Sequence, residues 1–345
     1  MEKANIPGLP ARLDTLLSGV RTAAIVVHTH PDGDAVGSAA ALLAFLREKR
    51  GIEATAILPD AAPDTLSFLT EGLPFLTASA QKAEAAACIS ASDLIFCLDC
   101  NGFSRVEGLE TVLRDASGRK VLIDHHLYPE ADAFDLAFSD PSASSTCEVL
   151  YRILTALPDT GSAAGLPAHS VTALMAGMTT DTNNFANSTT PSTLRMAADL
   201  LEAGADREAV LDLIYRRYRE NRLRLLAHCL DGMRITSDGV AYMILDRETQ
   251  RRLDMQDGET EGFVNEPLAI GRVRMSLFLK EDDGHFRVSI RSKRGTSAQR
   301  LAATRFHGGG HELAAGGKLY FPQDIAAPEE AASYIENVTR AYFQS

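Results

Sequence analysis

Histidines and aspartates fall into four short stretches of this chain. His28, Asp32 and Asp34 stand in H-T-H-P-D-G-D, Asp99 closes D-L-I-F-C-L-D, Asp124, His125 and His126 form D-H-H, and Asp181 stands in T-T-D-T-N-N-F. Carboxylates and imidazoles gathered in one place are costly unless a cation neutralises them. Two divalent ions would do so, and the chemistry they open is metal-assisted hydrolysis. Imidazole and carboxylate without thiolate suit manganese, and magnesium less well; zinc usually brings thiolates or fewer carboxylates. In D-G-D, Gly33 permits a tight backbone path. If the loop is extended, the two flanking acids point the same way and each can serve a different ion. Gly37 and the small residues after it let the next helix start close to the sheet, with its N–H groups facing the site and favouring an anion. Each motif alone has an ordinary explanation as a cap, a turn or a surface pair. Their joint placement at the ends of successive strands argues for a site.

The elements that must position these residues are legible as apolar runs. Residues 23–28, 93–99 and 120–125 are short, β-branched and without polar alternation, as buried strands are. Residues 52–58 supply another strand, and 35–49 and 81–91 carry helical patterns. Strand alternating with helix predicts an α/β fold, a parallel sheet with helices on both faces. Open sheets of this kind bind ligands at the carboxyl ends of their strands. Further helices are expected at 145–157, 168–178 and 193–203, and a highly charged connecting helix from about Arg207 to Gly232. Strands at 240–245, 272–280 and 285–292 follow, the last two joined by the turn signal E-D-D-G. The chain would end in a helix near 328–343. A length of 345 residues favours two domains. The expected division is a metal-binding domain over 1–206, a helical linker over 207–236 and a smaller mixed α/β domain over 237–345.

Charge is uneven. The chain carries a net −12, a poor basis for holding long nucleic acid, yet residues 270–320 hold ten Lys and Arg against four acids. A small anion could be received there. Arg291 offers a bidentate grip on phosphate. Gly308, Gly309 and Gly310 allow close backbone approach to a phosphate, and exposed N–H groups there would make an anion nest. His311 could contact a phosphate or ribose, and the residues after it are expected to open a helix. Ser145, Thr146, Asn183 and Asn184 are explained equally well as caps and turns or as cleft residues. The five cysteines are scattered and odd in number, which argues against a disulfide framework; Cys97 and Cys100 read as buried thiols. No apolar run approaches the roughly 20 residues of a membrane span, so no membrane partner is expected. Residues 1–20 lack the apolar stretch of a signal peptide, so a cytoplasmic location is expected.

H-x-x-x-D-x-D, a strand-ending D, D-H-H and a later D together resemble the DHH phosphoesterase superfamily. The G-G-G-H of residues 308–311 resembles its associated C-terminal domain, so the likeness covers nearly the whole chain. Within the superfamily the chain looks most like the branch of bifunctional oligoribonucleases and pAp phosphatases. The resemblance implies that His28 and Asp32 bind one ion, that Asp34, His125 and Asp181 bind the other, and that Asp99 bridges them. It implies that His126 touches the scissile phosphate and that Asp124 supports the histidines. His30 lies at a position the family does not require and is read as a bystander.

The expected reaction is attack on phosphorus by a hydroxide activated by two metals, with Arg291 and the glycine turn holding one end of a short substrate. Dinucleotides, very short RNA or DNA and the 3′,5′-bisphosphate pAp are the expected substrates. Hydrolysis of linear or cyclic dinucleotide messengers is one alternative, and a non-catalytic nucleotide-binding protein is another. A zinc-dependent amide hydrolase would need fewer ligands. Inorganic pyrophosphatases share the first loop but not the glycine-rich turn, and RecJ-type exonucleases are usually longer. A homodimer is an option the sequence leaves open.

Overall fold

The protein's structure, a computed structural model, describes residues 8–344. The first seven residues of the stretch read for a signal peptide lie outside the described residues. The chain forms two compact units, Met1–Arg217 and Tyr218–Ser345.

The first unit runs α1 (Leu9–Leu17), β1 (Thr22–Val26), α2 (Gly33–Arg50), β2 (Glu53–Leu58), α3 (Ser67–Thr70), β3 (Phe75–Thr77), α4 (Lys82–Ala91), β4 (Leu94–Leu98), α5 (Glu110–Asp115) and β5 (Arg119–Asp124). It continues through β6 (Leu136–Ser139), α6 (Thr146–Thr155), α7 (Ala168–Asp181), α8 (Pro191–Glu202) and α9 (Arg207–Tyr215). The six strands lie in the order β3-β2-β1-β4-β5-β6, and every neighbouring pair is parallel. One apolar cluster covers each face of the sheet. That is why β4, L-I-F-C-L, is buried at every position and shows no alternation. The chain reverses its direction of travel across the sheet between β1 and β4. Such a switch point leaves a crevice beyond the strand ends, and His28 and Asp99 follow those two strands.

α2 explains how the crevice is closed. Its first fourteen residues, Gly33 to Leu46, are all buried, so the helix needs no polar face. It lies against α7 with almost no side chain between. A Cβ on Gly37 would stand 2.8 Å from the Ala173 carbonyl oxygen, and one on Gly33 only 2.3 Å from Thr180 Oγ1. Ser170 Oγ donates to the Ala41 carbonyl at 2.7 Å farther along. The two helices are therefore antiparallel, and the start of α2 meets the end of α7. Gly37 serves this helix–helix approach, while α2 also packs on the sheet.

The second unit contains α10 (Glu220–Asp231), β7 (Arg234–Ile235), β8 (Val240–Leu245), α11 (Arg247–Arg252), β9 (Met275–Asp282), β10 (His285–Ser292), α12 (Ala298–Arg305), β11 (Gly309–Gly310), β12 (Ala314–Tyr320) and α13 (Ala331–Gln344). Its sheet order is β11-β12-β10-β9-β8-β7, mixed because β8 and β9 are parallel while the other neighbours are antiparallel. Among the described residues no helix is long and apolar enough to cross a membrane.

Several sequence expectations are corrected. The charged segment 207–232 is two helices, not one. Arg219 is extended, with φ −64° and ψ 149°, and its guanidinium is tied to Asp254 and Glu259. The residues after His311 form β12 rather than a helix. They pair with β10, and Gly317 is needed because a Cβ there would meet the Phe306 carbonyl at 2.2 Å. The short strands β3 and β6 were not foreseen.

Candidate metal centre

The four stretches converge. His28 Nε2 lies 3.8 Å from Asp32 Oδ1 and 3.5 Å from Asp99 Oδ2. His125 Nε2 lies 3.6 Å from Asp99 Oδ1, 3.6 Å from Asp181 Oδ2 and 3.9 Å from Asp34 Oδ2. His126 Nδ1 donates to Asp124 Oδ1 at 2.8 Å and stands 3.5 Å from Asp99 Oδ1. Among the described residues, three groups are close enough to hold an ion: His28, Asp32 and Asp99; Asp34, His125 and Asp181; and Asp99, His125 and His126. Asp99 turns one oxygen to His28 and the other to His125. His30 is not brought in; its ring pairs with Asp60 at 3.2 Å on the surface.

Local structure accounts for each placement. Asp99 follows β4 with φ +57°, a left-handed conformation that costs an aspartate about 1 kcal/mol and marks functional turns. Asp32 is the N-cap of α2 and accepts from the Asp34 and Ala35 amides at 3.0 and 3.1 Å. D-G-D is thus a capped helix start, not an extended loop, and Asp34 lies inside the first turn. The α2 amides expected to face an anion are taken by Asp32. It is α6 that offers its N-terminus: the Thr146 and Cys147 amides donate to Asp34 at 2.6 and 2.9 Å. The Thr146 hydroxyl donates to Asp99 at 2.9 Å. Thr146 therefore has a specific duty that a cap reading alone misses. Arg105, unnoticed in the sequence, places Nη1 3.0 Å from His126 Nε2. Its only sequence signal is a position six residues beyond Asp99.

Electrostatics show what the cluster needs. Burial alone would lower the His28 pKa, but hydrogen bonding and charge from Asp32 and Asp99 outweigh it and raise it to about 10. Burial likewise opposes His125, yet Asp99, Asp34 and Asp181 lift it to about 9. Burial and then Asp99 push Asp34 up to about 7; burial and then Asp34 push Asp181 up to about 8. Burial would raise Asp99 too, but His28, His125 and His126 hold it well below the usual carboxylate range. Protein alone thus keeps protons where cations would serve. The donors fit cations in detail: the His28 Nδ1–H is spent on the Thr29 carbonyl at 2.9 Å, which leaves Nε2 for the cluster.

In the second unit, Arg291 of β10 pairs in register with Ala314, while Gly310 pairs with Ala315 from the other side of β12. The same register brings Arg291 and the Gly310–His311 turn to one end of that sheet. Gly308 and Gly310 are required by space: a Cβ would stand 1.9 Å from the Gly316 carbonyl oxygen in one case and 2.7 Å from that of Ala314 in the other. Gly309 has open space where a Cβ would lie. Burial lowers the Arg291 pKa, with Glu261 opposing. Much of the basic excess nearby is already engaged. Arg274 and Arg300 stack on Phe343 and Tyr342, and Lys293 donates to the Ile270 carbonyl.

Residues 22–178 match the DHH family, N-terminal domain, and residues 238–337 match the DHHA1 domain. The chain belongs to the DHH family. It is 28% identical over 324 residues to the probable bifunctional oligoribonuclease and PAP phosphatase NrnA of Streptococcus mutans, covering 92% of this chain and 95% of that protein. It is 28% identical over 301 residues to the bifunctional oligoribonuclease and PAP phosphatase NrnA of Bacillus subtilis, covering 86% and 89%. The crystal structure of an exopolyphosphatase-related protein from Bacteroides fragilis superposes with a TM-score of 0.92 at 32% identity, over 99% of this chain and 98% of that one. The DHH match ends at Met178. Asp181 lies just beyond it and joins the cluster through the α2–α7 packing.

Proposed function

We propose that this DHH protein is a cytoplasmic, metal-dependent phosphoesterase. Its substrates would be short oligonucleotides, down to dinucleotides, and nucleoside 3′,5′-bisphosphates. The observation that carries the reading is Asp99, whose two oxygens face separate histidine–aspartate groups. The NrnA relatives supply the substrate class.

His28, Asp32 and Asp99 would hold one divalent ion, and Asp34, His125 and Asp181 another, with Asp99 shared. The oxygen and imidazole donors suit manganese, and magnesium less well. Bound there, the ions would lower the pKa of a water and offset charge on the attacking and leaving oxygens. Asp124 accepts the hydrogen bond of the His126 Nδ1–H, and the other ring nitrogen faces Arg105. A phosphoryl oxygen can be met at that edge. Thr146 holds Asp99 and Asp34 in their orientations through one hydroxyl and its amide. In the second unit, Arg291, the Gly308–Gly310 run and His311 would bind a terminal phosphate or nucleoside.

A substrate panel with Mn²⁺ tests the reading: a dinucleotide, a longer RNA, adenosine 3′,5′-bisphosphate, a cyclic dinucleotide and pyrophosphate. The expected result is mononucleotide release from the dinucleotide and phosphate release from the bisphosphate, both abolished by a chelator. Metal-dependent turnover of none of them would overturn the enzyme reading in favour of a nucleotide-binding protein.

A further inference from the structure

A cleft of about 280 Å³ adjoins the metal cluster in the first unit, lined by Asn101, Arg105, Arg114, Tyr128 and Glu130 among others. This is at the small end of ligand pockets. Part of its wall is committed to structure. Arg114 bonds Glu110 and Glu130 and lies over the Phe103 ring, and Glu130 also accepts from the Phe103 amide.

Three lining groups are not used in this way. Arg105 forms no salt bridge among the described residues; its side chain bonds to His126, where it must be the donor. Its remaining N–H groups are available to an anion. The Asn101 side-chain oxygen is buried without a hydrogen-bond partner among the described residues, and its backbone has φ +59°. A buried acceptor left unpaired is costly, so a ligand donor is the natural complement. Tyr128 is 84% exposed with φ +60°, and its neighbour Leu127 is 52% exposed. An exposed aromatic beside a cation and an orphan acceptor matches a phosphoryl group with a nucleoside attached. The guanidinium would meet the phosphoryl oxygens, the amide oxygen a hydroxyl or amino group, and the phenol ring the face of a base.

We infer that this cleft holds the nucleoside a dinucleotide carries beyond its scissile phosphate, with Arg105 on that phosphate and Tyr128 on the base. The inference rests on the phosphoesterase reading above and deepens it. A nucleoside 3′,5′-bisphosphate has a nucleoside on only one side of its cleaved phosphate, so the two substrates differ in the group assigned to this cleft.

The test is the ratio of kcat/KM for 5′-phosphorylated diadenylate to that for adenosine 3′,5′-bisphosphate, with Mn²⁺. Tyr128→Ala should lower the ratio about tenfold or more, the scale of a lost base–aromatic stack. Tyr128→Phe should keep it within about twofold, because the ring remains. Arg105→Ala should lower kcat/KM for both substrates, since both present the phosphoryl group. A ratio unmoved by Tyr128→Ala overturns the inference while leaving the phosphoesterase reading intact. A wild-type protein that turns over neither substrate overturns both.

Discussion

Replacing Asp99 by asparagine keeps the side chain's size and removes its charge. If the carboxylate serves both halves of the cluster, Asp99→Asn should cut turnover by far more than the roughly 100-fold that losing a partner of a metal ligand costs. Thr146→Val, which removes only the hydroxyl on Asp99, should fall in the roughly 10–100-fold range. Steady-state kinetics on the dinucleotide, with circular dichroism to confirm folding, compares them. Protonation gives a second residue-scale prediction. Without metal, Asp34 and Asp181 titrate near 7 and 8, and His125 and His28 near 9 and 10, each raised above its ordinary value. The metal-free site therefore binds protons up to those values, and cations must displace them. Mn²⁺ affinity should rise as pH climbs through this window. Calorimetry in buffers of different ionisation heat should show proton release near neutrality. Affinity that is flat with pH would contradict the cluster as described.

At the scale of elements, the α2–α7 contact sets where Asp181 meets Asp34. Gly37→Ala puts a methyl 2.8 Å from the Ala173 carbonyl oxygen. The helices must part, at a cost of about 1–3 kcal/mol. Denaturant unfolding should register that loss, and Mn²⁺ affinity should fall with it although no ligand has changed. Glu148 joins α6 to the start of α8. It accepts from the Ser144 amide and hydroxyl at 2.9 and 2.6 Å and from Ser192 and Thr193 at 2.6 and 2.9 Å, and it pairs with Arg152. Burial would raise its pKa, but these bonds lower it from 4.5 to about 2. Its stabilisation is complete above the ordinary value and lost as pH falls toward the depressed one. Acid unfolding of the wild type should lose on the order of 2–3 kcal/mol across that interval, and Glu148→Gln should lose much of that dependence.

At the scale of the whole molecule, the parallel sheet was legible because β1, β2, β4 and β5 are apolar runs bounded by helices. The cluster of acids and imidazoles was legible because aspartate and histidine at successive strand ends have few other reasons to be there. What escaped was decided by tertiary contact. The residues of β12 read as the start of a helix, yet Gly317 lets Phe306 pack against a strand there. Thr146 looks like any residue behind a cap until α6 is seen to aim at Asp34. Arg105 sits in a short turn with no periodic signal, and only the fold brings it to His126. The two acids of D-G-D stand in different groups, and a helix cap rather than an extended loop puts them there.

The proposed chemistry depends on a crowded set of acids and imidazoles that two cations would share. Crystals grown with Mn²⁺ and measured at the manganese absorption edge test this directly. The account predicts two anomalous peaks per chain, one ringed by His28, Asp32 and Asp99, the other by Asp34, His125 and Asp181, with Asp99 touching both. Anomalous density with no peaks at these residues, or with Asp99 ligating neither ion, would contradict it.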